Sequence, residues 1–321
     1  MKLVINKQNI LILLYAYIYV FILPWNFSSL IDYNNYLDRI IRLSIYGYDN
    51  NLEGYSIITS EYLWGLLLFK VSKYPLIYED FLKFISFFNL CIYTFFTLKK
   101  KVHPFFIIVF FFNPIFMDLI MSQLRIATAF SILLIAFMLN NKKIQLPLLV
   151  SAILIHTASL VFIGIYYILY LLQMRLKSRK EYLYAMIIAF FIALFLKYGV
   201  DMILVPLGDR RANYSEVISN SSVKYSLFWF IAALTLVFKS KYHEKDFKLN
   251  LIISFSIVMM SLFFFSSVIG AYGQRYVAVS VPLIVISIYV LPKKYSWSLF
   301  FLFFIWQLFQ LFYWLHLYDY I

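Results

Sequence analysis

Cysteine occurs once in 321 residues, at Cys91, inside an apolar run. A single thiol excludes a disulfide framework and a cysteine-rich metal site. Charge is scarce too: Asp, Glu, Lys and Arg make up 13% of the chain, about half their share in a soluble domain. Acidic residues are the scarcer sign, 15 against 28 Lys and Arg, for a net charge of +13. Nucleic acid is one partner such an excess could serve, but no stretch reads as a soluble domain carrying a basic–aromatic surface. Short lysine runs between apolar segments fit anionic lipid headgroups better. Also missing are a phosphate-cradling glycine loop, a metal-spaced His/Glu pair and a Gly-x-Ser-x-Gly elbow. The sequence therefore calls for no cofactor, no metal and no nucleic-acid partner.

Apolar residues fill the space that charge leaves, at 64% of the chain, with a mean hydropathy of +0.83. Their runs are too long for the weak alternation of a membrane barrel, so they predict helices. Spans fall at about 9–24, 81–98, 104–120, 123–140, 181–199, 224–239, 248–268, 276–291 and 296–315. The segment 144–173 has lysine or arginine at both ends and predicts two short helices turning near His156. The expected fold is an all-α polytopic membrane protein of about eleven spans, its N-terminal span retained rather than cleaved. Glu61 to Phe69 is apolar but, at about ten residues, too short to cross, and predicts a re-entrant or interfacial helix. Asp32 to Arg42 alternates Tyr33, Tyr36, Leu37, Ile40 and Ile41 with polar residues at helical spacing, the pattern of a surface helix. With no linker and no internal repeat, 1–321 reads as one domain with larger outer loops at about 25–60 and 200–223.

The basic residues then divide. Lysine runs at Lys2/Lys7, Lys99 to Lys101, Lys142/Lys143, Lys177/Lys180, Lys239 to Lys248 and Lys293/Lys294 behave as cytoplasmic anchors. Six of the eight arginines, Arg39, Arg42, Arg125, Arg210, Arg211 and Arg275, fall in the alternate, outer connections. Guanidinium groups at a membrane mouth suit bidentate binding of phosphate or carboxylate, which points to an anionic ligand. Arg125 follows Ser122 and Gln123 where an apolar hairpin turns, and shares a helical face with Ser122 and Ala129. Arg275 stands in a Gly-Ala-Tyr-Gly-Gln-Arg-Tyr stretch that ends at Tyr276. Arg210 and Arg211 lie beside Tyr214 in the second outer loop. Asp32, Glu61 and His156 are the candidates to take a proton, Asp32 and Glu61 each doubling as a favourable charge at a helix start. Tyr36, Gln123, Tyr214 and Tyr276 are candidate substrate contacts.

Taken in order, these features resemble the EpsG family of Wzy-type polysaccharide polymerases. They are Asp32-Tyr33 with Tyr36, Glu61 with Leu63-Trp64, Leu124-Arg125, His156 with Ser159-Leu160, and Arg275-Tyr276. The resemblance covers about 28–285; Tyr62 and Ile126 stand where the family often has proline and glutamine. It implies a GT-C-like membrane glycosyltransferase that polymerises O-antigen-type repeat units at the outer face of the bacterial inner membrane. Donor and acceptor would be oligosaccharides on undecaprenyl pyrophosphate, with a chain-length regulator as a further partner. In that setting Arg125 and Arg275, helped by Arg210 and Arg211, would hold the pyrophosphate. Other readings are a lipid-linked glycan flippase, which would place polar groups at mid-membrane depth, and a membrane O-acyltransferase.

Overall fold

The computed structural model describes residues 7–27, 30–48, 57, 60–139, 141–199, 202, 223–270 and 273–318. Among the described residues every regular element is helical. In chain order the first are α1 (Lys7–Tyr17, prolonged by a wider turn to Ile22), α2 (Ile31–Tyr46), α3 (Tyr62–Val71) and α4 (Tyr78–Lys99). Then come α5 (Pro104–Phe111), α6 (Pro114–Met121), α7 (Leu124–Met138), α8 (Lys142–Ile155) and α9 (Ser159–Leu176). The last are α10 (Lys180–Leu194, prolonged to Gly199), α11 (Val223–Lys239), α12 (Phe247–Ile269), α13 (Gln274–Tyr289) and α14 (Lys293–Tyr318).

Helices occupy every segment that the apolar runs marked, but among the described residues those long and apolar enough to cross a bilayer number fewer than about eleven. Five are long and apolar enough, and a sixth results if α5 and α6 are counted together. Hydropathy reads through breaks that the backbone makes. Asn113 and Pro114 interrupt the 104–120 run: the Asn113 side chain accepts from the Ile115 amide at 3.1 Å and Pro114 fills the first helical position. Helix α7 has 15 residues, about 22 Å of rise against a hydrocarbon core of about 30 Å. The break near His156 is where it was expected: α8 ends at Ile155, His156 is extended, and α9 starts at Ser159.

The chain forms two compact units. The first comprises Met1–His103, Phe111–Ile163 and Gln307–Ile321. Its centre is the contact between α4 and α7, which is tied by polar groups inside an apolar interior. Asn89 donates to Thr128 Oγ1 at 3.0 Å and accepts from Ser131 Oγ at 2.9 Å. One turn along, the Tyr93 hydroxyl donates to the Ala127 carbonyl at 3.0 Å. Helix α8 packs against α7 on one side and α3 on the other, and α3 packs against α2. Helix α2 turns Tyr33, Tyr36 and Ile40 inward and leaves Asn34, Asn35, Asp38 and Arg42 outside, as its spacing predicts. Ile41, expected on the apolar face, is exposed.

The second unit comprises Pro104–Phe110 and Gly164–Trp306. Helix α12 is its core, buried along most of its length against α10, α11 and α13. Buried hydroxyls and amides fix the packing: Tyr182 donates to Asn250 Oδ1 at 3.0 Å, and Ser287 bonds Ser256 at 2.9 Å. Gly270, at φ +72°, ends α12 in the left-handed conformation. Gly273 then lies directly on α12, where an added Cβ would stand 2.7 Å from Ser266 Cβ and 3.1 Å from the Phe263 Cα. Gly164, by contrast, faces open space. Gly273→Ala should therefore destabilise the purified protein by about 1–3 kcal/mol, visible as a lowered Tm in detergent. Gly164→Ala should leave Tm unchanged or slightly raised.

Candidate functional site

The residue that organises the first unit's polar site is Glu61, which precedes α3. A residue at this position ordinarily has extended backbone and bonds the helix's first amides with its side chain. Glu61 does neither. Its backbone is left-handed, at φ 58° and ψ 55°, and its side chain makes no capping bond. That conformation costs a non-glycine residue on the order of 1 kcal/mol. It turns the carboxylate off the helix axis, into the space between α7 and the α8–α9 break.

There both carboxylate oxygens are taken. Oε2 accepts from Nη1 of Arg125, the second residue of α7, and Oε1 pairs with Nδ1 of His156. All three are largely removed from solvent, with side-chain exposures of 5% for Glu61, 14% for His156 and 24% for Arg125. An ionised carboxylate only accepts, so Nδ1 of His156 is the donor of this bond; in the neutral tautomer that keeps this bond, Nε2 carries the lone pair. Burial alone would raise Glu61 above its ordinary 4.5. The His156 hydrogen bond and the Arg125 charge outweigh it and hold the carboxyl down to about 2.

Tyr36 completes the site. Its hydroxyl accepts from the Arg125 amide at 3.5 Å, and the Arg125 guanidinium lies 5.7 Å over its ring. Trp64, fully buried one turn into α3, meets Tyr36 edge-on at 5.4 Å. It is a wall of the site rather than a surface for a ligand. Tyr48 braces α3 from outside by donating to the Tyr62 carbonyl at 3.3 Å, and a Cβ on Gly65 would come within 2.9 Å of its ring. Neither Tyr48 nor Gly65 stands out in the sequence; the only signal is a glycine inside an otherwise apolar short helix.

The remaining candidates are placed as follows. Asp32 is half-buried in the first turn of α2, one turn before Tyr36. Gln123 precedes α7, but its amide nitrogen donates to Asp118 Oδ2 at 2.5 Å, so it shapes the α6–α7 turn. Ser122 ends α6 rather than belonging to α7, so the helical face expected for Ser122, Arg125 and Ala129 does not extend to the serine. Asp118, to which the sequence reading gave no role, is the turn's anchor. Arg275 and Tyr276 lie in the first turn of α13, in the second unit. Arg210, Arg211 and Tyr214 lie outside the described residues. Among the described residues no group of His, Cys, Asp and Glu could hold a metal ion.

Long apolar helices and a buried carboxylate shared between a guanidinium and an imidazole define a membrane protein with a polar site built from one of its units. The family model for the EpsG family matches residues 9–321, and the chain belongs to that family. No curated protein and no solved structure matches the chain.

The Glu61 carboxyl is bound more tightly to its partners when ionised, so its contribution to stability has a definite sign. It is complete above the ordinary 4.5 and is lost as pH falls toward about 2. The loss should amount to on the order of 3 kcal/mol, measured as a fall in Tm of the detergent-solubilised protein. Glu61→Gln should flatten that acid limb; an unchanged limb would assign it to other carboxyls.

Proposed function

We propose that this chain is a polysaccharide polymerase: a GT-C-like glycosyltransferase of the bacterial inner membrane, with its site facing outward. It would transfer an undecaprenyl-pyrophosphate-linked glycan onto a sugar hydroxyl of a second lipid-linked repeat unit. Membership of the EpsG family supports the polymerase-like class. The observation that carries the residue-level reading is the sharing of Glu61 by Arg125 and His156.

In this reading the acceptor oxygen forms a bond to the donor's anomeric carbon as the bond from that carbon to the pyrophosphate oxygen breaks. The hydroxyl proton passes to His156 Nε2, and the electron pair leaves with the lipid pyrophosphate. Glu61 is a poor choice of base, because a carboxyl held down to about 2 has little affinity for a proton. Its part is to fix the tautomer and direction of His156, the service the aspartate gives in Ser-His-Asp hydrolase triads. Asp32 sits a turn away from Tyr36 on α2 and serves the site through acceptor binding. Arg125 meets the pyrophosphate.

The charge balance suits the step. With His156 neutral, Arg125, Glu61 and His156 sum to zero. Once His156 holds the acceptor's proton, the sum is +1, at the moment when negative charge gathers on the leaving group. Stabilisation realised only in the transition state is what raises a rate. Translocation of a lipid would draw on no such change, so the flippase reading finds less support in these residues.

Deleting the gene should leave single repeat units on the cell surface and abolish the polysaccharide ladder on a gel. A normal ladder in the deletion strain would end the polymerase reading. In complemented strains with matched membrane levels, His156→Gln should reduce polymer by about 100-fold or more, the scale of a lost general base. Arg125→Lys should fall short of wild type by at least about tenfold, since an ammonium cannot reproduce the guanidinium fork. Full activity of both variants would remove the pair from the mechanism.

A further inference from the structure

A groove of about 490 Å³ runs along the far end of the α4–α7 contact, away from Glu61. Its walls are apolar: Ile12 of α1, Cys91 and Phe95 of α4, Ile135 and Met138 of α7. Its rim is cationic, because Lys99 of the last turn of α4 lines the same groove. The stretch from Cys91 to Lys99 corresponds to about 12 Å of helix rise. The Lys99 ammonium lies 6.0 Å over the Phe95 ring, so it stays beside the groove instead of extending away. Further lysines follow at once in the chain, Lys100 and Lys101 after α4, and Lys142 and Lys143 three residues beyond the groove residue Leu139.

An occupant must satisfy both parts. A free phosphate would leave the apolar walls wet, and a hydrocarbon alone would leave the ammonium without a counter-charge. A molecule with an apolar tail and an anionic head answers both. The wall residues Leu13 and Phe95 are exposed on the side of the groove, so an occupant can enter sideways from the bilayer. We propose that this groove is a binding site for an anionic phospholipid of the surrounding membrane, its acyl chain against Ile12, Cys91 and Ile135 and its phosphate on Lys99. The site goes beyond the polymerase reading and does not depend on it. A lipid seated there would fill the space between α1, α4 and α7, and so support the helix that presents Arg125.

Cys91 is the chain's one thiol and forms part of the wall, so the site carries its own reporter. The test uses the purified, delipidated full chain in detergent, offered phosphatidylglycerol or phosphatidylcholine and observed by native mass spectrometry. Phosphatidylglycerol should be retained about fivefold more tightly, the preference that one membrane-surface lysine confers. It should also slow alkylation of Cys91 by N-ethylmaleimide. Lys99→Gln, an exposed substitution, should bring both measurements to the phosphatidylcholine level. Equal retention of the two lipids would overturn the proposal, as would a preference that survives Lys99→Gln or one that leaves Cys91 equally reactive. Displacement of phosphatidylglycerol by an equimolar polyprenyl phosphate would overturn it in favour of a substrate-like lipid.

Discussion

One carboxylate, out of water and engaged at both oxygens, is the constraint around which the first unit is arranged. Glu61, Arg125 and His156 come from the start of α3, the start of α7 and the break between α8 and α9. Separately, each charge would be costly to bury. Together they satisfy one another, and removing one partner of such a group usually costs several kcal/mol because the others stay behind. Three local features bring them together: the left-handed backbone at Glu61, the Asp118–Gln123 turn directly before α7, and the extended residue at His156.

The surroundings keep that arrangement in place. Tyr36 bridges α2 to the Arg125 backbone, and Trp64 fills the space behind it. Helix α3 is too short to cross a bilayer, and is held by α2 and α8 along its flanks. The second unit is organised differently, around one helix buried along most of its length, α12, and its hydroxyl contacts. Its Arg275 and Tyr276 follow a close approach of backbone at Gly273.

Much of this was legible in the sequence because membranes simplify the code. Apolar runs marked the helices, and the scarcity of charge made each arginine and acid conspicuous. Glu61, Arg125 and His156 were thus visible as individuals. Their union was not, since 64 and 31 residues separate them in the chain and no local period encodes a contact of that range. The role of Glu61 was misleading for a related reason: an acid before a short helix reads as a dipole partner, and only the backbone angle reveals that it points elsewhere. Gln123 read as a substrate contact, and the sequence did not show that its amide nitrogen donates to Asp118, five residues back. The count of about eleven spans is not matched by helix length among the described residues, because apolar runs such as those of α7 and α13 form helices of only 15 and 16 residues.

The Asn89 bonds to Thr128 and Ser131 carry a mechanical meaning. Thr128 lies three residues past Arg125, on nearly the same face of α7, and Ser131 one turn further on. A helix packed only by greasy side chains can roll about its axis with little resistance. A long side chain acts as a crank that multiplies any such roll at its tip. Two hydrogen bonds to a single amide on α4 act as a detent against it. The aim of the guanidinium is therefore set by torsional stiffness well below the site, in a stretch that touches no reacting atom.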